Sequence, residues 1–253
     1  MERRFHTPLP LTLDVNIPAG DVDVETVDGE ESTVVVDGDE RLLEHVTVEQ
    51  DGDRLSVSFR GKKPFGLVIA IGSFTIGNEG IKVRARVPHG AAANLTTASA
   101  DLDLRGRVRR LEVKTASGDV RLRGEVEENA VVKTVSGDAH IDRVGSDLRL
   151  ETISGDATIG SAGGSVEAKT VSGDLRVDSI RTGTASFTSV SGDVEFGIAP
   201  GSFLDVDAGS VSGDLSSEVP LGSDPGNAGG DGPTIVLRGK TVSGDVKVFR
   251  AAS

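Results

Sequence analysis

Apolar and polar residues alternate from the start of the chain: Leu9, Leu11, Leu13, Val15 and Ile17 fall on one side and Thr12, Asp14 and Asn16 on the other. That period of two predicts a strand with one buried face. Val22 to Val27 and Thr33 to Val36 predict two more strands, and His45 to Gln50 and Arg54 to Phe59 flank Asp51-Gly52-Asp53. A hairpin over 45–59 results, with Gly52 supplying the positive φ of a tight turn. The segment Gly61 to Gly80 departs from the alternation: Lys62-Lys63-Pro64 leads into an apolar, Gly-punctuated run from Phe65 to Ile76. It is read as a buried strand in preference to an apolar loop, because β-rich apolar runs bounded by Gly usually enter a core. Alternation resumes at Ile81 to Val87, and no helical period of useful length occurs. Residues 1–80 are therefore an N-terminal β segment, packed on or continuous with the region 81–253.

That second region is built from a repeat. A hydroxyl residue, an aliphatic one and Ser-Gly-Asp recur seven times, ending at Asp119, Asp138, Asp156, Asp174, Asp193, Asp214 and Asp245. The steps between successive Asp residues are 19, 18, 18, 19, 21 and 31. A near-constant step of this size marks one structural unit repeated. A degenerate copy, Thr97-Ala98-Ser99-Ala100-Asp101, precedes the regular ones. The long last step places its extra residues in 216–233, rich in Gly, Pro, Asp and Ser, and predicts a mobile loop that leaves the stack and returns.

Numbered from the hydroxyl residue, positions −4 and −2 are mostly apolar (Leu111 and Val113, Leu148 and Leu150), as are +5 and +7 (Val120 and Leu122, Ala157 and Ile159). Each unit is thus two short strands joined at Ser-Gly-Asp. Eighteen residues cannot close a core alone, so units must stack about 4.8 Å apart in parallel. The predicted fold is an all-β β-solenoid of two-strand repeats over 81–253. Position +1 is also aliphatic: Ala116, Val135, Ile153, Val171, Val190, Val211 and Val242. It lies an odd number of steps from −2, so one flat strand cannot bury both sets. Either a bend at the Thr turns the +1 column inward, or that column forms an exposed apolar stripe. The bend is preferred, since exposed aliphatics in line invite aggregation.

Aromatic residues make up 3% of the chain, with no Trp or Tyr, so the core must be thin and built from aliphatic ladders. A formal net charge of −13 argues against nucleic acid and against an anionic membrane surface. There is no cysteine, which excludes thiolate metal sites and disulfides. The start, Met1 to Pro8, lacks the apolar run of an export signal, and no stretch reaches membrane-helix length; a cytoplasmic protein without direct membrane insertion is expected.

The most tempting chemistry is the column Asp119, Asp138, Asp156, Asp174, Asp193, Asp214 and Asp245. Carboxylates ~4.8 Å apart repel one another by about 1 kcal/mol per pair even in water, so each is expected to accept backbone N–H groups of its own turn and to see nearby Lys or Arg. The alternative is a row of calcium-like cations, for which one carboxylate and one hydroxyl per repeat is a thin ligand set. The Thr-x-Ser ladder also suggests hydroxyls matched to ordered water. His6, His45, His89 and His140 are scattered, and no nucleophile elbow, phosphate loop or zinc spacing accompanies them, so neither catalytic residues nor a cofactor is assigned.

The Thr-Val-Ser-Gly-Asp units with apolar-x-apolar arms, preceded by an alternating strand and Ile17-Pro18-Ala19-Gly20-Asp21, resemble the bacterial putative adhesins, a β-strand-repeat family of unknown function similar to the toast-rack domains of cell-envelope stress proteins. The resemblance implies a β-solenoid, no catalytic residues and a role in interaction or envelope-stress sensing. The expectation is a non-enzymatic scaffold or partner-binding module that engages a protein partner or a second copy of itself. Strand addition at either end is one route, with Lys247 and Arg250 guarding the last edge.

Overall fold

The computed structural model describes residues 1–60, 80–219 and 232–251. The apolar segment read as a buried strand over 61–79, and the centre of the predicted loop, 220–231, lie outside the described residues. The alternating segments form β1 (Glu2–His6), β2 (Thr12–Val27), β3 (Glu31–Asp37), β4 (Val46–Asp51) and β5 (Arg54–Phe59), with one helical turn, α1 (Glu40–Leu43), before β4. After the gap come β6 (Ile81–Pro88) and β7 (Ala92–Val108). The repeats contribute β8 (Arg110–Lys114), β9 (Val120–Val126), β10 (Ala130–Lys133), β11 (Ala139–Val144), β12 (Leu148–Glu151), β13 (Ala157–Ala162), β14 (Val166–Lys169), β15 (Leu175–Ile180), β16 (Gly183–Thr188) and β17 (Val194–Ile198). The last elements are β18 (Phe203–Ser212), β19 (Leu215–Ser217), β20 (Thr234–Ser243) and β21 (Val246–Arg250). Ser216 and Ser217 are therefore strand, and the connection between coils is shorter than 216–233.

The chain winds as a β-solenoid. One sheet holds β8, β10, β12, β14 and β16 in parallel register, and the facing sheet holds β9, β11, β13, β15 and β17. The long strands β2 and β7 each pass through both sheets and pair side by side along their length, joining the N-terminal segment to the stack. Its start is capped by antiparallel strands: β4 hairpins onto β5, turning at Gly52 with φ +58°, while β3 and then β1 extend the other sheet from β6. Between the sheets the −4, −2, +5 and +7 columns form one thin core of Val, Leu, Ile and Ala. Phe187 and Phe196 add a facing aromatic pair there, with ring centroids 5.7 Å apart. Among the described residues no helix is long and apolar enough to cross a membrane.

Spatial order departs from chain order at the end. β20 pairs with β16 on one side and β18 on the other, and β21 likewise sits between β17 and β19. The last repeat in sequence, 241–245, thus occupies the penultimate level, and the unit 206–217 forms the terminal one. In this order Gly239 lies directly beside Phe187, and a Cβ at Gly239 would lie 2.6 Å from Phe187 Cε1. The exposed edge strands at this end are consequently β18 and β19, and β21, with Lys247 and Arg250, is interior to its sheet rather than a guarded edge.

Candidate functional site: an aliphatic corner between two charged columns

The corner begins at the repeat's hydroxyl residue. Thr115, Thr134, Thr152, Thr170, Ser189 and Thr241 are buried. Each donates its hydroxyl to the carbonyl of the Ser two residues on, at 2.7 Å for Thr115 and 3.1 Å for Thr134 and Thr241. The side chain satisfies itself within its own turn, so burying it costs little. The expected bend at Thr does not occur. Strand alternation runs on through the Thr, and the chain turns after it, across Ser-Gly-Asp.

The +1 residues consequently face out. Val135, Ile153, Val171, Val190 and Val242 are 43–51% exposed and Val211 is 83% exposed. In spatial order the stripe reads Ala116, Val135, Ile153, Val171, Val190, Val242, Val211, one residue per coil. Its backbone is not an open edge. Single parallel bridges link Ser136 to Ser154, Ser154 to Ser172, Ser172 to Ser191 and Ser191 to Ser243, and Ser154 N–H donates to Val135 C=O at 2.9 Å. Only apolar side chains remain to be satisfied. The inward-facing Thr hydroxyls also remove the flat hydroxyl array that the Thr-x-Ser ladder suggested.

The Asp column borders the stripe on one side. Each carboxylate accepts from the backbone N–H of the Asp in the next coil, not from its own turn as expected. The series Asp101, Asp119, Asp138, Asp156, Asp174, Asp193, Asp245, Asp214 is linked by bonds of 2.8–3.1 Å. This offsets the repulsion along the column and commits one oxygen of every carboxylate but the last. Arg121 pairs with Asp119 at 2.6 Å. From Asp138 to Asp245 no column carboxylate has a cation within 4.0 Å among the described residues. No group of three acidic or His side chains in metal-holding geometry occurs there either. With one uncommitted oxygen per level, the column is far from the six to eight ligands a calcium site needs.

Position −1, on the other side of the stripe, carries Lys114, Lys133, Lys169 and Lys240, interrupted by Glu151 and Thr188. The first three lysines and Glu151 join an ion-pair ladder on the outer face of that sheet: Lys114 with Glu112 at 2.5 Å, Lys133 with Glu151 at 2.8 Å, Lys169 with Glu167 at 2.7 Å, and Arg149 with both Glu151 and Glu167. Hydrogen bonds from Lys133 and then Arg149 hold Glu151 down at about 2. The hydrogen bond from Lys169 lowers Glu167 as well, and that to Glu151 raises Arg149.

The histidines do not assemble. His140 lies on the outer face of β11 beside Asp142, 3.2 Å away. His89 touches Thr26 at 2.6 Å and Asp28 at 3.6 Å, the arrangement of a nucleophile, base and acid. Yet Asp28 is fully exposed, and Thr26 is buried with its hydroxyl accepting Arg107 N–H at 2.8 Å, so it cannot meet a substrate. His6 and His45 lie elsewhere, beside Glu30 and Phe59.

Stacked two-strand coils, a Thr or Ser at every corner and a glycine at every turn define a β-solenoid repeat protein. The chain belongs to the Toastrack DUF4097 family, whose model matches residues 11–249. A solved putative adhesin from Bacteroides fragilis superposes with a TM-score of 0.53 at 13% identity, covering 98% of this chain and 96% of that one. A second putative adhesin, from Parabacteroides distasonis, gives 0.49 at 14% identity over 98% and 96% of the two chains. No curated protein matches the chain. The first likeness extends over nearly the whole length, and what it establishes is the fold.

Proposed function

We propose that this chain is a non-enzymatic interaction module and that its contact surface is the aliphatic corner. One observation carries the reading: six Val or Ile residues stand exposed in a single line, and at every level but the terminal one, that of Val211, the backbone bonds to both neighbouring coils. Apolar side chains in water gain ~25 cal/mol for each Å² they bury, and a rigid row offers that gain without an ordering cost. Small exposed apolar residues scattered singly need no explanation, whereas a contiguous row bordered by charge has the make-up of a protein contact. The acidic net charge favours a protein surface over nucleic acid. The description of the Bacteroides fragilis protein as a putative adhesin agrees with a binding role.

The test replaces Val135, Ile153, Val171 and Val190 by Thr, which keeps shape and strand preference and removes the apolar surface. Light scattering on the purified chain, and capture from extracts of the source cells followed by cross-link mapping, report the contacts. Wild type is expected to form a contact that maps to the corner and is lost in the fourfold variant. A wild-type chain that stays monomeric and captures nothing, or whose contacts map elsewhere, overturns the reading.

A further inference from the structure

We infer that the corner's partner is a second copy of this chain, docked side by side with the two solenoid axes parallel and related by a two-fold axis that runs along them. The inference rests on the corner being a contact surface, and adds the occupant and its orientation. Two copies placed corner to corner have two symmetric arrangements. If the two-fold lies along the solenoid axis, the copies run parallel, and the column to the left of one stripe faces the column to the right of the other. If it lies across that axis, the copies run antiparallel and like columns face each other.

The flanking columns choose between them. In the antiparallel arrangement Asp138, Asp156, Asp174, Asp193 and Asp245 of each copy confront the same row in the other, with no cation within 4.0 Å of any of them among the described residues. In the parallel arrangement each level meets itself: Lys114 faces Asp119 of the second copy, Lys133 faces Asp138, Lys169 faces Asp174 and Lys240 faces Asp245, the first three lysines being shared with Glu112, Glu151 and Glu167 of their own sheet. Thr188 faces Asp193 neutrally. Only Glu151 meets a like charge, Asp156, and Glu151 is already covered by Lys133 at 2.8 Å and Arg149 at 2.6 Å. Complementary charge steers approach and suppresses the wrong orientation, while the aliphatic row between the columns supplies the buried surface.

Seven levels spaced ~4.8 Å give a stripe roughly 30 Å tall, and the span from Lys to Asp is roughly 15 Å wide, so about 450 Å² is buried per copy. The total of about 900 Å² lies below the ~1,200 Å² at which stable specific interfaces begin, so association is expected to be weak and concentration-dependent. Each Val or Ile meets the same residue of the other copy at its own level.

The chain has no cysteine, which makes orientation directly testable. Val135→Cys, Val171→Cys and Val242→Cys, each made alone and oxidised gently, are expected to form disulfide dimers with themselves. In the antiparallel arrangement only the central Val171→Cys pairs with itself, and mixed Val135→Cys and Val242→Cys chains join each other; that pattern overturns the proposal. Sedimentation equilibrium from ~1 to ~300 µM, the range such a small contact calls for, should show reversible dimerisation. The fourfold replacement of Asp138, Asp156, Asp174 and Asp193 by Asn keeps an oxygen acceptor for each next N–H and removes the charge. It should weaken association at least tenfold while the circular dichroism spectrum and melting profile stay those of wild type. Unchanged association in that variant, or a monomer throughout the range, overturns the dimer. A monomer that still cross-links a foreign protein at the corner overturns the dimer and leaves the interaction reading standing.

Discussion

Replacing Gly155 by Ala separates two roles of the corner glycine. Gly155 has φ +114°, and a Cβ there would lie 2.8 Å from the carbonyl carbon of Gly137 and closer still to its oxygen. The obstacle is backbone of the preceding coil, which cannot swing aside. Gly29 has nearly the same φ, +107°, with nothing within 4 Å of its would-be Cβ. Gly29→Ala therefore measures conformational strain alone, ~1 kcal/mol. Gly155→Ala adds the clash. To relieve it the two coils must part by nearly 1 Å locally, which forfeits the Ser154 N–H to Val135 C=O bond and the Asp156 N–H to Asp138 carboxylate bond, both 2.9 Å. Each is worth ~1 kcal/mol net, the second somewhat more because its acceptor is charged, and parted core side chains add ~1 kcal/mol. The expected loss is ~4 kcal/mol for Gly155→Ala against ~1 kcal/mol for Gly29→Ala. Urea unfolding followed by circular dichroism, with the m-values compared first, measures both. Equal losses in the two variants would refute the close-approach role of the corner glycines.

Three more variants probe the corner and its neighbours. Thr152→Val keeps shape but removes the hydroxyl that reaches Ser154 C=O at 3.2 Å, and should cost ~1 kcal/mol in the same unfolding assay. Glu151→Gln probes the ion-pair ladder: the folded chain holds Glu151 at about 2, below its unfolded value of 4.5, so the carboxylate stabilises the fold above that unfolded value and the benefit drains away as pH falls toward about 2. With the side chain partly exposed, the wild-type advantage should be of order 1 kcal/mol near neutrality and vanish at about pH 2, as read from melting across that window. Truncation after Val219 should release β18 and β19 together, because their ladders run only to β20 and β21; rapid amide exchange over 203–217 would report it.

The period of the repeat carried the fold. Apolar pairs at −4 and −2 and at +5 and +7, separated by an odd number of residues, admit only two strands and a turn, and those are the strands observed. Two features were not legible. The burial parity at the corner depended on whether the Thr hydroxyl could satisfy itself inside, and the acceptor, a carbonyl two residues on, is a backbone atom with no signature in the sequence. The level of each unit was hidden because every repeat carries the same corner and offers its neighbours the same ladder. In the observed order Gly239, not Ala208, lies beside Phe187. Val206, Ala208 and Ser217 are only partly buried and Leu215 is exposed, which makes 206–217 the least buried unit, as its place at the end of the stack dictates. The Asp column was read from its spacing, but its bonds run between coils, and stacking decides that.

The exposed column has a plain competing explanation, which its own residue choice answers. Val and Ile are good strand residues, so the +1 position could hold them for backbone preference alone. Thr would satisfy that preference equally. It is nearly isosteric with Val, equally branched at Cβ, and suited to water, and the chain already uses it freely at the hydroxyl position one residue earlier. Yet six of the seven regular repeats place Val or Ile in the exposed position and none places Thr or Ser there. At the buried position one residue before, the preference is inverted: every repeat puts a hydroxyl inside and the hydrocarbon outside. Folding stability alone gives no reason to prefer hydrocarbon over a hydroxyl at the exposed position. The proposed contact surface, however, requires the outer row to be apolar, and in six of the seven repeats the hydroxyl's internal bond makes that inversion cheap for the folded coil.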